Sequence, residues 1–156
     1  MSFVRWFWEP KAKHEIKKLR NKRVLEIGAG KHSFKRFFDE TCFVHTTDKA
    51  QEDARKLSFK NNVFDVVVCF NVLEHIYEYE VAVKEMFRVL KPGGLLFCKT
   101  PLLYPLHDEP NDYWRFTPSC LQNIFRQYGA FDVLYSVGFW RFALGHFFIV
   151  KKVIQE

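Results

Sequence analysis

Two stretches of the sequence hold side chains whose types and spacing could do chemistry. The first is Glu26-Ile27-Gly28-Ala29-Gly30, which ends the apolar run Val24-Leu25 and leads into a phenylalanine-rich segment. Glycines in such a turn let the backbone approach a ligand closely, while amides at the start of the next element face it. Asp48 follows Gly30 by 18 residues, the spacing of a carboxylate that hydrogen-bonds ribose hydroxyls. Each feature alone is weak; together they argue for a nucleoside cofactor. The second stretch is Leu106-His107-Asp108-Glu109-Pro110-Asn111-Asp112-Tyr113-Trp114-Arg115-Phe116-Thr117. His107 is suited to take a proton near neutral pH, and Asp112 could orient it or act itself. Tyr113 and Trp114 could wall an acceptor, and Arg115 could grip a carboxylate or phosphate on it. The plainer reading of His107, Asp112 and Arg115 is a polar network that holds a proline-rich loop.

These residues need elements to position them. Lys, Glu, Ala and Leu predict a helix over residues 11–21, ending at Asn21. Val24 to Ile27 reads as a strand feeding the glycine turn, and Ser33 to Glu40 as a helix with Phe34, Phe37 and Phe38 on one face. Phe43 to Thr47 is a second strand, and the β-branched run Phe64 to Phe70 has the pattern of a strand buried on both faces. Tyr79 to Leu90 has helical spacing and stops at Lys91-Pro92-Gly93-Gly94; Leu95 to Thr100 is another buried strand. Residues 101–116 form a loop, and Thr117-Pro118 caps a helix running to about Tyr128. From Phe131 onward two strands are expected around Gly138 and Gly145. The alternation predicts an α/β fold: a Rossmann-like open, mostly parallel sheet with helices on both faces and an antiparallel C-terminal strand. In such sheets ligands bind at the carboxyl ends of the strands, where both chemical stretches fall. Phe34, Phe37, Phe38, Phe125, Phe131, Phe142, Phe147 and Phe148 recur at element spacing and read as core.

The 156 residues fit one domain, 48% hydrophobic and 27% charged. The formal charge of +6 lies in residues 1–23, a basic helical segment with eight Lys or Arg and two Glu, leaving 24–156 neutral as the catalytic domain. Such a charge run usually solvates a surface, with Ile16 and Leu19 docking on the core; contact with nucleic acid is the lesser option. No apolar run approaches the length of a membrane helix, and the start of the chain is too short and too charged for a secretory signal. Cys42, Cys69, Cys98 and Cys120 form no Cys-x-x-Cys pair, so no metal is expected, and a cytoplasmic protein with reduced thiols is.

Three ligands compete for the glycine turn. A phosphate loop fails, because Leu25 stands where its first glycine belongs and His32 follows Lys31. A dinucleotide site is disfavoured by Ser33, where a third glycine belongs. S-adenosylmethionine (SAM) needs no third glycine, and Glu26 could meet its amino-acid end directly or through water. Glu26 could otherwise be a charge left at a strand end, but its apolar neighbours make unpartnered burial costly.

In order along the chain, Val24-Leu25-Glu26-Ile27-Gly28-Ala29-Gly30, Asp48, Asp53-Ala54-x-x-Leu57-Ser58-Phe59, Phe64-Asp65-Val66-Val67, Val72-Leu73-Glu74-His75 and Arg88-Val89-Leu90-Lys91-Pro92-Gly93-Gly94 resemble the motif series of class I SAM-dependent methyltransferases, closest to the type-11 group. The resemblance implies that Gly28 and Gly30 hold the methionyl end, Asp48 the ribose, and Asp53 with Ala54 the adenine. Asn71 and Val72 would face the methionine moiety, and His75 would position or pack beside the acceptor. The chain differs in having only Lys49 to Glu52 between Asp48 and Asp53, where most relatives carry a helix and a strand. The second chemical stretch resembles a loop of a methyltransferase subgroup associated with glycan or small-metabolite gene clusters.

The reading that results is a SAM-dependent methyltransferase acting on the oxygen or nitrogen of a small polar acceptor. A catalytically silent SAM-binding interaction module is the first alternative, and a nucleic-acid methyltransferase using the basic N-terminus the second. Aromatic residues near the N-terminus are compatible with a homodimer.

Overall fold

The computed structural model describes residues 3–107, 110–139 and 142–153, with side chains described for 8–107, 110–130 and 144–153. Six strands form one sheet: β1 (Arg23–Ile27), β2 (Phe43–Thr46), β3 (Phe64–Phe70), β4 (Leu90–Pro101), β5 (Gly129–Phe139) and β6 (Phe142–Lys152). Their order is β2-β1-β3-β4-β6-β5. β1 runs parallel to β2 and β3, and β3 parallel to β4. β6 runs antiparallel to both β4 and β5. This is the mixed, mostly parallel sheet expected, with β6 as its antiparallel member.

Strand parity sorts the core into two layers. Val67 and Cys69 of β3, Leu96 and Cys98 of β4, and Phe148 and Val150 of β6 face α2 (Tyr79–Val89) and α3 (Pro118–Phe125), whose Val83, Met86, Leu121 and Phe125 complete that layer. The alternate residues Val66, Val68, Phe97, Phe147 and Ile149 face the opposite way. They meet Trp8, Ala12 and Ile16 of α1 (Phe3–Ile16), which recur every four residues and so share one helix face. Leu19 joins the same layer. Phe34, Phe125, Phe147 and Phe148 are buried, with Phe37 and Phe38 partly so; the side chains of Phe131 and Phe142 lie outside those described.

Several boundaries differ from expectation for identifiable reasons. α1 occupies 3–16 rather than 11–21, because its apolar stripe begins before Pro10, which sits inside the helix. The turn after Ile16 tightens, with Leu19 N–H donating to Ile16 C=O, and Asn21 stops it at φ +52°. Residues 33–40 are not a helix. Separate 3-10 turns, Gly30–His32 and Lys35–Phe37, flank Ser33, whose ψ of 138° is not helical, and Phe38 follows in extended conformation. Lys91 to Gly94 does not precede β4 but bulges from it: Phe64 pairs with Leu90 and Val66 with Leu95. α3 ends at Phe125 rather than near Tyr128, and β5 begins at Gly129, against the Lys151 carbonyl. Thr117 caps α3 by accepting from the Cys120 N–H at 3.2 Å.

Ile16 is fully buried at the α1–sheet contact. Ile16→Ala is expected to lower the stability of the whole domain by about 2–5 kcal/mol, read by denaturant unfolding, whereas Lys17→Ala on the exposed side of the same turn leaves the midpoint nearly unchanged.

Candidate active site

The glycine turn is built on a buried carboxylate. Glu26, at the end of β1, accepts from Ser33 Oγ at 2.6 Å and from the Phe34 N–H at 2.7 Å. Those bonds satisfy its charge and tie the segment after the turn back to the end of β1. Across the turn, Thr47 N–H donates to Glu26 C=O at 2.8 Å and Ala29 N–H to Thr47 C=O at 2.9 Å. Gly28 sits at φ +68°, and a Cβ there would stand 2.3 Å from Val72 Cγ2. Gly30 at φ +47° has open space where its Cβ would be. The first glycine is thus required by space and backbone, the second by backbone alone.

Two cavities open at the carboxyl ends of the parallel strands. One, of about 800 Å³, is lined by Glu26, Gly28, Ala29, His32, Phe34, Phe70, Lys99, Tyr104 and His107, with Trp8, Glu9 and Lys13 of α1. The other, of about 580 Å³, is lined by Asp48, Asp53, Ala54, Arg55, Val72, Glu78 and Tyr113. Ile27, Gly28, Asn71 and His75 face both. The sequence-predicted cofactor residues are therefore divided: Glu26 and Ala29 on one side, Asp48, Asp53, Ala54 and Val72 on the other, Gly28 and Asn71 between them. Gly30 shapes the turn without lining either.

Local bonds set what each carboxylate has left to offer. Asp48 Oδ1 accepts from the N–H groups of Ala50 and Gln51, at 3.0 and 3.2 Å, and so shapes the short connection to Asp53. Asp53 is clamped by Arg55, whose Nη2 lies 2.8 Å from Oδ2, and those hydrogen bonds hold its carboxyl below the usual range. Arg55 reaches across to Glu78 at 2.8 Å, closing one rim of the smaller cavity. Asn71, at φ +55°, presents Oδ1 to Nζ of the buried Lys99.

The loop after β4 folds as both a wall and a network. His107 lines the larger cavity, and its Nδ1 lies 3.2 Å from both Asp112 Oδ2 and the Pro105 carbonyl oxygen. The side chain of Asp112 is covered; it accepts from the His107 N–H at 3.0 Å and from both terminal nitrogens of Arg115, Nη2 at 2.7 Å. Hydrogen bonding from the Arg115 guanidinium holds the Asp112 carboxyl well below the usual carboxylate range. Trp114 packs on Tyr79 and donates from Nε1 to the Ile76 carbonyl oxygen at 3.1 Å. Asp112, Trp114 and Arg115 thus stand behind the cavity walls, while His75, His107 and Tyr113 stand in them.

Some wall residues carried no signal strong enough to single them out. Trp8, Glu9 and Lys13 lie far from the motifs in sequence and enter because α1 folds back over β1 and β3. Lys99 and Glu74 had one: a charged residue inside an apolar run. Glu74 is fully buried, and burial pushes its carboxyl up to about 7.

A family profile described as a methyltransferase domain matches residues 7–147. The demethylmenaquinone methyltransferase of Staphylococcus aureus strain JH9 is 36% identical over 78 residues, which cover 50% of this chain and 29% of that protein. The chain therefore spans less than a third of the curated relatives it matches. A SAM-dependent methyltransferase from Aquifex aeolicus superposes with a TM-score of 0.74 at 15% identity, covering 97% of this chain and 94% of that one. The 1,6-didemethyltoxoflavin-N1-methyltransferase of Burkholderia thailandensis, solved with 1,6-didemethyltoxoflavin and S-adenosylhomocysteine, gives 0.72 at 16% identity over 92% and 77% of the two chains. At these identities the solved structures share the fold.

Gly28→Ala is expected to destabilise the protein by about 1–3 kcal/mol, from the left-handed backbone and the clash with Val72. Thermal unfolding should show the Gly28→Ala/Val72→Ala pair less destabilised than the two single losses summed, because trimming Val72 relieves the clash and leaves the backbone strain.

Proposed function

The chain belongs to the methyltransferase-domain family, and we propose that it moves the methyl group of SAM to an oxygen or nitrogen of a small polar acceptor. The observation that carries this reading is the pair of adjoining cavities meeting at Ile27, Gly28, Asn71 and His75. One offers carboxylates beside a glycine turn, and the other offers a histidine facing an aromatic and basic lining. The residues present fit the cofactor: Gly28 leaves room for backbone approach, Asp48 is placed for ribose hydroxyls, and Asp53 with Ala54 lies beyond it. Glu26, Ala29, Asn71 and Val72 would hold the methionyl end, where the two cavities adjoin. When bound, SAM supplies an electrophilic methyl group on a sulfonium.

The chain's own part is alignment, exclusion of water and management of a proton. His107 takes the acceptor's proton at the imidazole nitrogen away from Asp112. Of the two roles open to Asp112, orientation is the one its bonds support: a carboxylate held by Arg115 is too weak a base to act alone, but it fixes the ring of His107. Arg115 and Trp114 act through the loop they brace. His75 and Tyr113 bound the acceptor and cofactor sides. Lys13, a residue of the basic N-terminal segment, is ion-paired to Glu9 at 3.0 Å in the wall of the larger cavity, which favours an enclosed small acceptor over nucleic acid. No helix among the described residues is long and apolar enough to cross a membrane.

Calorimetry with SAM, S-adenosylhomocysteine and NAD in parallel tests the cofactor: micromolar binding of the two adenosyl ligands and none of NAD is expected, and the opposite pattern ends the proposal. Asp48→Ala should weaken SAM binding about tenfold or more, as loss of a hydrogen bond to a charged group does. On an acceptor identified by screening, His107→Ala should lower turnover by about 10²–10⁴ while SAM affinity changes less than about twofold, since only the acceptor side is altered.

A further inference from the structure

The grip on an acidic acceptor that residue type suggests for Arg115 is not available, because both terminal nitrogens of Arg115 are spent on Asp112. The wall of the larger cavity holds another guanidinium, that of Arg36. Its side chain is exposed and lies over the Phe37 ring, with Cζ 4.8 Å from the centroid. It makes no hydrogen bond or ion pair among the described residues. Lys13 Nζ lies 4.3 Å from the centroid of the same ring. One phenylalanine thus gathers two like charges in one cavity wall.

The carboxylates that could answer them are engaged. Glu26 accepts from Ser33 and Phe34, and Glu9 pairs with Lys13 at 3.0 Å. Lys99 adds a buried ammonium to the same lining, bonded to Asn71 Oδ1. Three cations (Lys13, Arg36, Lys99) therefore face two carboxylates (Glu9, Glu26) there, before any histidine is counted. A cleft with an excess of one sign concentrates ligands of the other. Trp8 lines the same cavity, and its buried indole N–H has no acceptor among the described residues. A buried donor without an acceptor is costly, and an oxygen on a ligand removes that cost.

We propose that the larger cavity takes an anionic acceptor, one carrying a carboxylate or a phosphate, and that Arg36 is the residue that selects it. The inference rests on the acceptor side assigned above and names its substrate class. A guanidinium presents two parallel N–H groups to two oxygens of either anion. Lys13 and His32 stand in the same lining and add to its positive character. With the anionic end at Arg36, the acceptor's reacting end is left to His107, which lines the same cavity. Arg36 lines only the larger cavity, outside the border to which the methionyl end of the cofactor is assigned.

The test titrates the full chain, without SAM, with benzoate, phenyl phosphate and the uncharged benzamide, read by calorimetry. At least one anion is expected to bind about tenfold or more tighter than benzamide, and the tighter of the two identifies the group the acceptor carries. Arg36→Ala, at an exposed position, should fold normally and weaken that anion about tenfold or more, as loss of a charged hydrogen-bond partner does. Arg36→Lys should recover part of the loss, since it restores the charge without the fork. Arg126→Ala, exposed at the end of α3, should bind as the wild type does. SAM titrated into Arg36→Ala should keep its affinity within about twofold.

Failure of both anions to bind, benzamide binding as tightly as they do, or anion affinity unchanged in Arg36→Ala overturns the proposal. So does a loss of SAM affinity in Arg36→Ala that matches the loss for the anion, which would give Arg36 to the carboxylate of the cofactor. Because the anion titrations contain no SAM, a chain that binds no cofactor yet selects anions through Arg36 would refute methyl transfer and leave this subsite standing.

Discussion

The bond pair on Glu26 is the constraint from which the site follows. A carboxylate at the end of a central parallel strand, on the face covered by α1, has to be given donors, and the chain supplies them from Ser33 and Phe34. That commitment has two effects. It ends the strand in a turn tight enough to need φ above zero at Gly28 and Gly30. And it draws Phe34 against Trp8 and Phe70, with ring centroids 5.5 and 4.9 Å away, so that α1 and the turn form one wall. The larger cavity exists because that wall stops short of the ends of β3 and β4.

The loop after β4 is held on a similar logic. The side chain of Asp112 is covered, and its charge is answered by Arg115 and by the His107 amide. This ion pair, buried on its Asp112 side, thereby fixes where His107 stands. Tyr113 N–H donates to the Glu74 carbonyl oxygen at 2.8 Å, tying the loop to the segment that follows β3. The two halves of the polar cluster thus come from segments some thirty residues apart in sequence.

How much of this the sequence disclosed depends on the range of the interactions. The sheet was legible because β3 and β4 are buried on both faces and show it as continuous apolar runs. The glycine turn and Asp48 were legible because backbone requirements leave a residue-type signature. The segment 33–40 was misread because its Phe spacing fits a helix; nothing local reveals that Ser33 and Phe34 are tied back to a carboxylate seven and eight residues earlier. The part of α1 in the cavity wall was hidden for the same reason, since Trp8 and Lys13 reach the site only through tertiary packing. The meeting of His75 with His107 has no spacing signature, because one ends the 3-10 turn after β3 and the other lies in the loop after β4. Trp114 and Arg115 read as acceptor contacts by type, whereas their bonds turn inward to Asp112 and Ile76.

The shared wall between the cavities has a consequence for assigning roles. Ile27, Gly28, Asn71 and His75 border both compartments, so a ligand in either one alters the surface offered to the other. Thermodynamic reciprocity then requires that whatever the first occupant does to the affinity for the second, the second does equally to the first. A substitution in the common border therefore carries a mixed signature that no single titration can apportion. Asp48 on one flank and His107 on the other are the positions from which each occupant can be heard separately.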